Sequence, residues 1–240
     1  MAMSLSCPAK LFWLKTNEPQ YALILARGGS KGIPRKNLQK LNGVTLLERT
    51  IKIIQETNLF TEIWVSTEDK EINETAQKIG ALSHTRPKYL AEDETSSLDA
   101  VKEFLNKYKY IKKLALFQCT SPFLRHQYIK DGINKFQNSE CVFSVTQSFK
   151  LRWQLYDNER ELVHPINFKL DKRPRRQDWS GEFYENGMFY FANRYLILEN
   201  NSFQSKLCKI VIISQYDGLE IDTLEDLDIA EYLTNKRQTD

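Results

Sequence analysis

Residues 24 to 37 read ILARGGSKGIPRKN, which sets Gly28, Gly29 and Gly32 among Arg27, Lys31, Arg35 and Lys36 directly behind the apolar run Ala22 to Ala26. Glycines at such positions let the backbone turn sharply and aim its N–H groups at an anion, while the cations supply charge. The chemistry this suits is phosphate binding. The spacing is neither GxxxxGK[ST] nor GxGxxG, which disfavours a P-loop NTPase and a dinucleotide dehydrogenase. The bland alternative is a solvated basic turn.

Two further stretches carry charge in a chemically useful pattern. In KRPRRQDW, Lys172, Arg173, Arg175 and Arg176 form a compact basic cluster. A planar guanidinium suits a carboxylate bidentately, and the same cluster also reads as a nuclear localisation signal. A nucleic-acid patch is disfavoured, because 34 cations against 31 anions leave a net charge of only +3. In EIDTLEDL, Glu220 and Asp222 stand two residues apart on an extended segment and share a face. Paired carboxylates fit Mg²⁺, which takes carboxylate oxygens together with substrate phosphates; the alternative is that Glu220 is solvated and Asp222 merely precedes a helix cap at Thr223. His84, His126 and His164 are isolated, with no serine or cysteine at a meaningful spacing, so no nucleophilic triad is expected.

These groups must be positioned by a fold, and the chain of 240 residues has the length of one well-buried domain. Short β-branched apolar runs alternate with amphipathic stretches, which predicts an α/β fold with a mostly parallel sheet flanked by helices. Strands are predicted at 21–26, 62–67, 113–122, 141–146, 186–192 and 208–214. Helices are predicted at 44–57, from Asp69 to a stop at Gly80, at 96–108, at 129–136 and at 223–235. In open sheets ligands sit at the carboxyl ends of the strands, so the loops at 27–37, 67–69, 118–125 and from 147 onward are expected to share one rim. Residues 147–180 break the rhythm and form either a long functional excursion or a small subdomain. The domain is thus drawn as 21–146 with 181–235, the excursion as 147–180, and 1–20 as an N-terminal extension.

Cys7, Cys119, Cys141 and Cys208 lie far apart without metal-ligand spacing and are expected to be buried free thiols. No run approaches the roughly 20 apolar residues of a membrane-spanning helix, and the N-terminus does not support a cleaved signal peptide. Two sequons, at Asn73 and Asn200, would matter only in a secretory lumen.

LARGGSKGIPRKN resembles the nucleotide-binding signature of the acylneuraminate cytidylyltransferases, or CMP-sialic acid synthetases. VSTEDKEI, RPKYLAEDETSSLDA, QCTSP, KRPRRQDW, YENGMFYF and EIDTLEDLDIAE follow in matching order, so the resemblance covers roughly residues 21 to 233. It implies a Rossmann-like nucleotidyltransferase fold and a reaction of CTP with an N-acylneuraminate. Arg27 and Lys36 match the family's triphosphate cations, which with Asp222 are the catalytic candidates. Gly28, Gly29, Ser30, Asn37, Arg86 and Ser97 match its nucleotide contacts. Gln118, Arg176, Asn186 and Tyr190 match its sugar-acid pocket, with Arg152 a further candidate that could reach a neighbouring subunit.

Mg²⁺, or another divalent ion such as Mn²⁺, is implied on Asp222 and Glu220. Relatives usually carry Asp at both positions and proline where this chain has Cys119. The resemblance also implies a homodimer formed through the excursion, and an end of the chain after the synthetase domain, without the phosphatase-like extension of vertebrate members. Vertebrate members are typically nuclear and insect ones allow the Golgi lumen, so nucleus, Golgi and cytosol stay open. A synthetase for another acidic sugar, such as KDO or a related nonulosonate, and a catalytically impaired nucleotide-binding homologue are the alternatives.

Overall fold

A computed structural model of the chain describes residues 18–239. Cys7 and most of the expected N-terminal extension lie outside the described residues. One seven-stranded sheet organises the domain, built from β1 (Tyr21–Leu25), β4 (Glu62–Thr67), β5 (Leu82–Thr85), β6 (Lys113–Phe117), β7 (Cys141–Ser148), β10 (Glu182–Asn193) and β11 (Lys209–Ile213). Their spatial order is β11-β7-β10-β6-β1-β4-β5. All neighbours run parallel except β10, which is antiparallel to both β6 and β7.

Two cores form on the two faces because each strand alternates its side chains. Helices α1 (Leu46–Glu56), α2 (Lys70–Lys78), α4 (His126–Phe136) and α6 (Leu224–Thr239) bury Leu47, Ile51, Ile72, Ile133 and Ala230 against one face. On the other, α3 (Ser97–Lys107) and the short α5 (Arg194–Leu198) pack Val101, Phe104, Leu105 and Leu196 around Leu23 and Leu116. Burying one stripe of each helix is what turns the 3.6-residue pattern into tertiary structure.

Several boundaries differ from the sequence expectation for local reasons. Helix α1 starts at Leu46 because Val44–Thr45 (β3) pairs back on Lys40–Leu41 (β2) around Asn42-Gly43, both at positive φ, as a tight hairpin requires. Thr45 then closes a capping box with Glu48. Strand β6 ends at Phe117 and does not reach Pro122, and α4 begins earlier, at His126. Strand β5 has the short polar sequence LSHT, whose pattern gives no strand signal. The excursion contains an antiparallel hairpin, β8 (Trp153–Asp157) with β9 (Leu162–Pro165).

The expectation of free thiols is corrected for one pair: Cys141 and Cys208 form a disulfide. Strands β7 and β11 are parallel neighbours in which Val142 lies beside Lys209, so the residue before each is brought side by side. That register is invisible in a sequence separation of 67 residues. Cys119 stays a buried thiol, whose pKa burial pushes up to about 12.

Candidate active site

Strand β1 lies between β4 and β6, so the chain leaves it first toward one sheet edge and later returns on its other side. At such a switch point the loops after neighbouring strands part and leave a crevice. The loop after β1 holds Arg27 to Asn37, and the one after β6 holds Gln118 to Leu124. Two small cavities open there and share Leu25 and Ser97 in their walls. The first, about 210 Å³, is lined by Arg27, Arg86 and Asp93 among others. The second, about 90 Å³, is lined by Asn37, Gln118 and Thr120.

The loop glycines act by closeness and not by positive φ, which in this loop belongs to Arg35. A Cβ on Gly32 would lie 2.5 Å from the carbonyl oxygen of Asp222, so any side chain there would push the basic loop off the carboxylate segment. The Gly28 N–H already donates to Glu68 Oε1, at 2.8 Å. The N–H groups of Gly29 and Ser30 have no acceptor among the described residues and remain available to an anion.

Every cation of the loop meets a carboxylate. Arg27 and Lys31 share Asp93 at 2.7 and 2.9 Å. Arg35 pairs with Asp69 and Glu71, which turns it away from the crevice role open to the others. Lys36 Nζ reaches Asp222 Oδ1 at 2.9 Å. Buried Asn37 donates to the Arg27 carbonyl and so braces the loop.

Glu220 and Asp222 do share a side of their segment, because Ile221 between them is fully buried. Thr120 Oγ1 donates to Glu220 Oε1 at 3.1 Å, and the Ile221 N–H donates to the Thr120 carbonyl, which ties this segment to the end of β6. Burial, with the Asp222 charge adding to it, raises the Glu220 pKa above its usual range. Asp226 accepts from the Asp222 and Thr223 N–H groups and Thr223 caps back, so the carboxylates sit at a well-made helix start.

Ser97 is the first residue of α3, whose cap is Ser96, and its exposed position is free to line both cavities. Arg86 is buried, with Nη2 on the Ser66 carbonyl and Nε 3.3 Å from Ser66 Oγ. Of the residues matched to the sugar-acid pocket, Gln118 places Oε1 3.4 Å from Thr120 Oγ1. Asn186 is buried and bonded to Thr146 Oγ1 at 2.9 Å, where it holds the bulge of β10. The Tyr190 hydroxyl donates to Glu185 at 2.9 Å, and burial raises its pKa, with Glu185 and Glu220 adding to the effect.

Arg152 and Arg176 line a separate and larger cavity of about 580 Å³ with Phe149, Lys150 and Tyr184. They differ in how committed they are. Arg152 is held by both oxygens of Glu182, whereas Arg176 stacks on the Phe149 ring at 4.8 Å and has no carboxylate partner among the described residues.

A family model described as cytidylyltransferase matches residues 21–238, from the first strand into the last helix. The chain belongs to the cytidylyltransferase family. It is 38% identical over 213 residues to N-acylneuraminate cytidylyltransferase A of Danio rerio, covering 88% of this chain and 49% of that protein. Pseudaminic acid cytidylyltransferase of Campylobacter jejuni is 32% identical over 219 residues, covering 88% of this chain and 94% of that protein. The chain spans about half the length of the N-acylneuraminate cytidylyltransferases it matches. Among solved structures, a CMP:2-keto-3-deoxy-manno-octonic acid synthetase complexed with CTP aligns with a TM-score of 0.70 at 15% identity, covering 92% of this chain and 100% of that one. That likeness bears out the Rossmann-like nucleotidyltransferase fold.

Sequence reasoning missed the anionic half of this cytidylyltransferase-family site. Asp93, Glu68 and Asp69 each answer a group of the basic loop, and all three lie inside the quoted stretches VSTEDKEI and RPKYLAEDETSSLDA. Their acidity beside an exposed cationic loop was the signal. Ser66, His84 and Glu103 were missed too: they meet behind Arg86, from three different elements.

Proposed function

We propose that the chain joins CTP to an N-acylneuraminate, releasing pyrophosphate and forming the CMP-sugar. The observation that carries this is the Lys36–Asp222 contact, which closes a phosphate-binding loop on a carboxylate pair 186 residues away. The N-acylneuraminate relatives at 36–38% identity supply the substrate class.

In this reading Arg27, Lys36 and the N–H groups of Gly29 and Ser30 hold the triphosphate. Gly28, close against Asp69, keeps the loop on its strand. Asn37, Arg86 and Ser97 face the nucleoside. Gln118, Asn186 and Tyr190 border the sugar, and Arg176, stacked but without an acid partner among the described residues, takes its carboxylate; Arg152 supports that cavity through Glu182. The 2-hydroxyl of the sugar attacks the α-phosphorus in line. A new P–O bond forms as the bond to the β-phosphate bridging oxygen breaks, the pair of electrons leaves with pyrophosphate, and the proton of the attacking hydroxyl passes to solvent. Arg27 and Lys36 are preorganised against that charge, and fixed charges of this kind are the main source of rate acceleration in such a transfer.

The residues present fit a divalent ion. Glu220, Asp222 and Thr120 offer hard oxygens, and burial, with the Asp222 charge adding to it, raises the Glu220 pKa, a cost that a cation there would relieve. Among the described residues no group of three or more His, Cys, Asp or Glu forms a cage, which suits an ion that completes its shell with substrate phosphates. Asp222 and Glu220 would hold Mg²⁺, or Mn²⁺, whose chemistry there would be neutralisation of the phosphates.

The β8–β9 hairpin exposes Trp153, Leu155, Tyr156 and Val163, an apolar surface that we assign to a second copy of the chain. The Cys141–Cys208 disulfide favours the lumenal alternative over the nuclear and cytosolic ones. No helix among the described residues is long and apolar enough to cross a membrane.

The match over 94% of the pseudaminic acid relative favours one second reading, a different nonulosonate as the acid. Turnover with CTP and Mg²⁺ across N-acetylneuraminate, pseudaminate and KDO separates the two. A kcat/KM highest for the neuraminate supports the first; a higher value for either other acid replaces it.

A further inference from the structure

Behind the cavity wall, four side chains from three stretches of the chain form a line that the sequence does not announce. Arg86 donates from Nε to Ser66 Oγ, at 3.3 Å, and from Nη2 to the Ser66 carbonyl. Ser66 Oγ lies 3.0 Å from His84 Nδ1. His84 Nε2 lies 3.2 Å from Glu103 Oε2. Ser66 and His84 are completely buried and Arg86 nearly so. His84 Nε2 and Glu103 Oε2 have no hydrogen-bond partner among the described residues. Their contact is a close polar approach without a hydrogen bond, in a setting that Lys107 and Arg86 also charge.

The order of donors follows from the chemistry of the groups. Guanidinium only donates, so Ser66 Oγ accepts from Arg86 and its single proton is free for the imidazole. With Ser66 donating to the ring, Nδ1 is the acceptor and the ring proton sits on Nε2, on the side of the Glu103 carboxylate. Glu103, His84 and Ser66 are thus arranged as in an acid–base–nucleophile relay, yet Ser66 has no exposed surface and its oxygen is engaged by Arg86. No substrate atom can reach it. What the line does reach is the guanidinium in the wall of the 210 Å³ cavity.

We propose that Glu103, His84 and Ser66 are positioning residues that fix the Arg86 guanidinium for the nucleotide, so that CTP affinity depends on an imidazole that never touches it. The alternative for a buried histidine is a packing role, and its edge-on contacts with Phe104 and Tyr108 supply one. Packing alone, however, does not explain why both ring nitrogens meet polar partners. The groups facing the ring are Ser66, Glu103, Lys107, Arg86 and Tyr108, and burial with the Lys107 and Arg86 charges holds the His84 pKa at about 4. The ring is neutral under working conditions, as an acceptor from Ser66 must be. This inference rests on the reading of Arg86 as a nucleotide contact.

The test uses the full chain with Ser66→Ala and His84→Gln, alone and combined with Arg86→Ala. Each single variant is expected to raise the KM for CTP roughly tenfold, the scale of one lost hydrogen bond to a charged group. The KM for the acid sugar is expected to stay within about twofold. On the Arg86→Ala background neither variant adds a further loss, because the chain acts only through that arginine. Equal loss for both substrates, or additive loss on that background, overturns the proposal in favour of packing. Nitrogen NMR of the His84 ring reads the same line without any turnover: an Nε2–H tautomer is expected, and an Nδ1–H tautomer overturns it. A wild-type chain that shows this tautomer but does not bind CTP leaves the relay standing and removes the nucleotide reading instead.

Discussion

Lys36 Nζ lies 2.9 Å from Asp222 Oδ1, so the basic loop after the first strand is latched to the segment that opens the last helix. Gly32 makes the latch possible, since its missing side chain would occupy the space of the Asp222 carbonyl. Arg27 repeats the arrangement with Asp93. In the proposed function a triphosphate would compete in both cases with a carboxylate for a cation that is already aimed.

Removal of the cation gives the first prediction. Arg27→Ala and Lys36→Ala should each lower kcat by about a hundredfold, the scale of losing one preorganised charge in the transition state. Steady-state pyrophosphate release reads it, and a loss under about threefold removes the residue from that role. Asp93→Asn is the converse: it frees Arg27 and should lower the KM for CTP roughly two- to fivefold, as expected for a half-exposed pair.

Glu220 trades stability against function. Its folded pKa is raised by burial and by Asp222, above the usual 4.5. A carboxyl raised in the folded state stabilises while protonated, below about 4.5, and loses that contribution as pH rises through its folded pKa. At neutral pH the ionised pair therefore costs stability. Glu220→Gln should raise the melting temperature of the metal-free protein at neutral pH while cutting turnover, and the stability gain should shrink as pH falls through the raised folded pKa and be gone by about 4.5. A melting temperature that falls at neutral pH would contradict the raised pKa.

Much of this was legible in the sequence, and the rest was hidden for reasons that can be named. The alternation of YALIL, EIWVST and KLALF with amphipathic helices pointed to the sheet, because burial on both faces writes itself as apolar runs. Strand β5 was not readable, since LSHT buries one residue, His84, and propensity cannot see the parallel edge beside β4. The cations Arg27 and Lys36 were readable as charges, but Asp93 and Asp222 as their partners were not, because pairing depends on the crevice geometry. Arg152 was legible only as a further candidate beside Arg176, and its pairing with Glu182 was not legible at all.

The disulfide is the clearest case of register deciding chemistry. Cys141 and Cys208 become neighbours only because β7 and β11 are paired in parallel, with Val142 beside Lys209. Cys208→Ser should cost about 2–4 kcal/mol of unfolding free energy in urea under oxidising conditions. Alkylation followed by mass spectrometry should label neither Cys141 nor Cys208 in the folded protein until it is reduced. Free labelling of both in the native, unreduced protein would remove the bond.

Arg176→Ala should raise the KM for the acid sugar about tenfold or more, with the KM for CTP changed less than twofold, because losing a charge-assisted contact to a carboxylate is felt by that substrate alone. Arg152→Ala should act more weakly, through loosening of Glu182. Equal damage to both substrates by Arg176→Ala would show a folding role.

Pyrophosphate release by the purified chain with CTP, Mg²⁺ and N-acetylneuraminic acid tests most directly whether the latched loop and carboxylate pair serve transfer of CMP to an N-acylneuraminate. Release is expected to require all three and to yield one CMP-sugar per pyrophosphate. No release under conditions where CTP binds and a relative from Danio rerio turns over would contradict it.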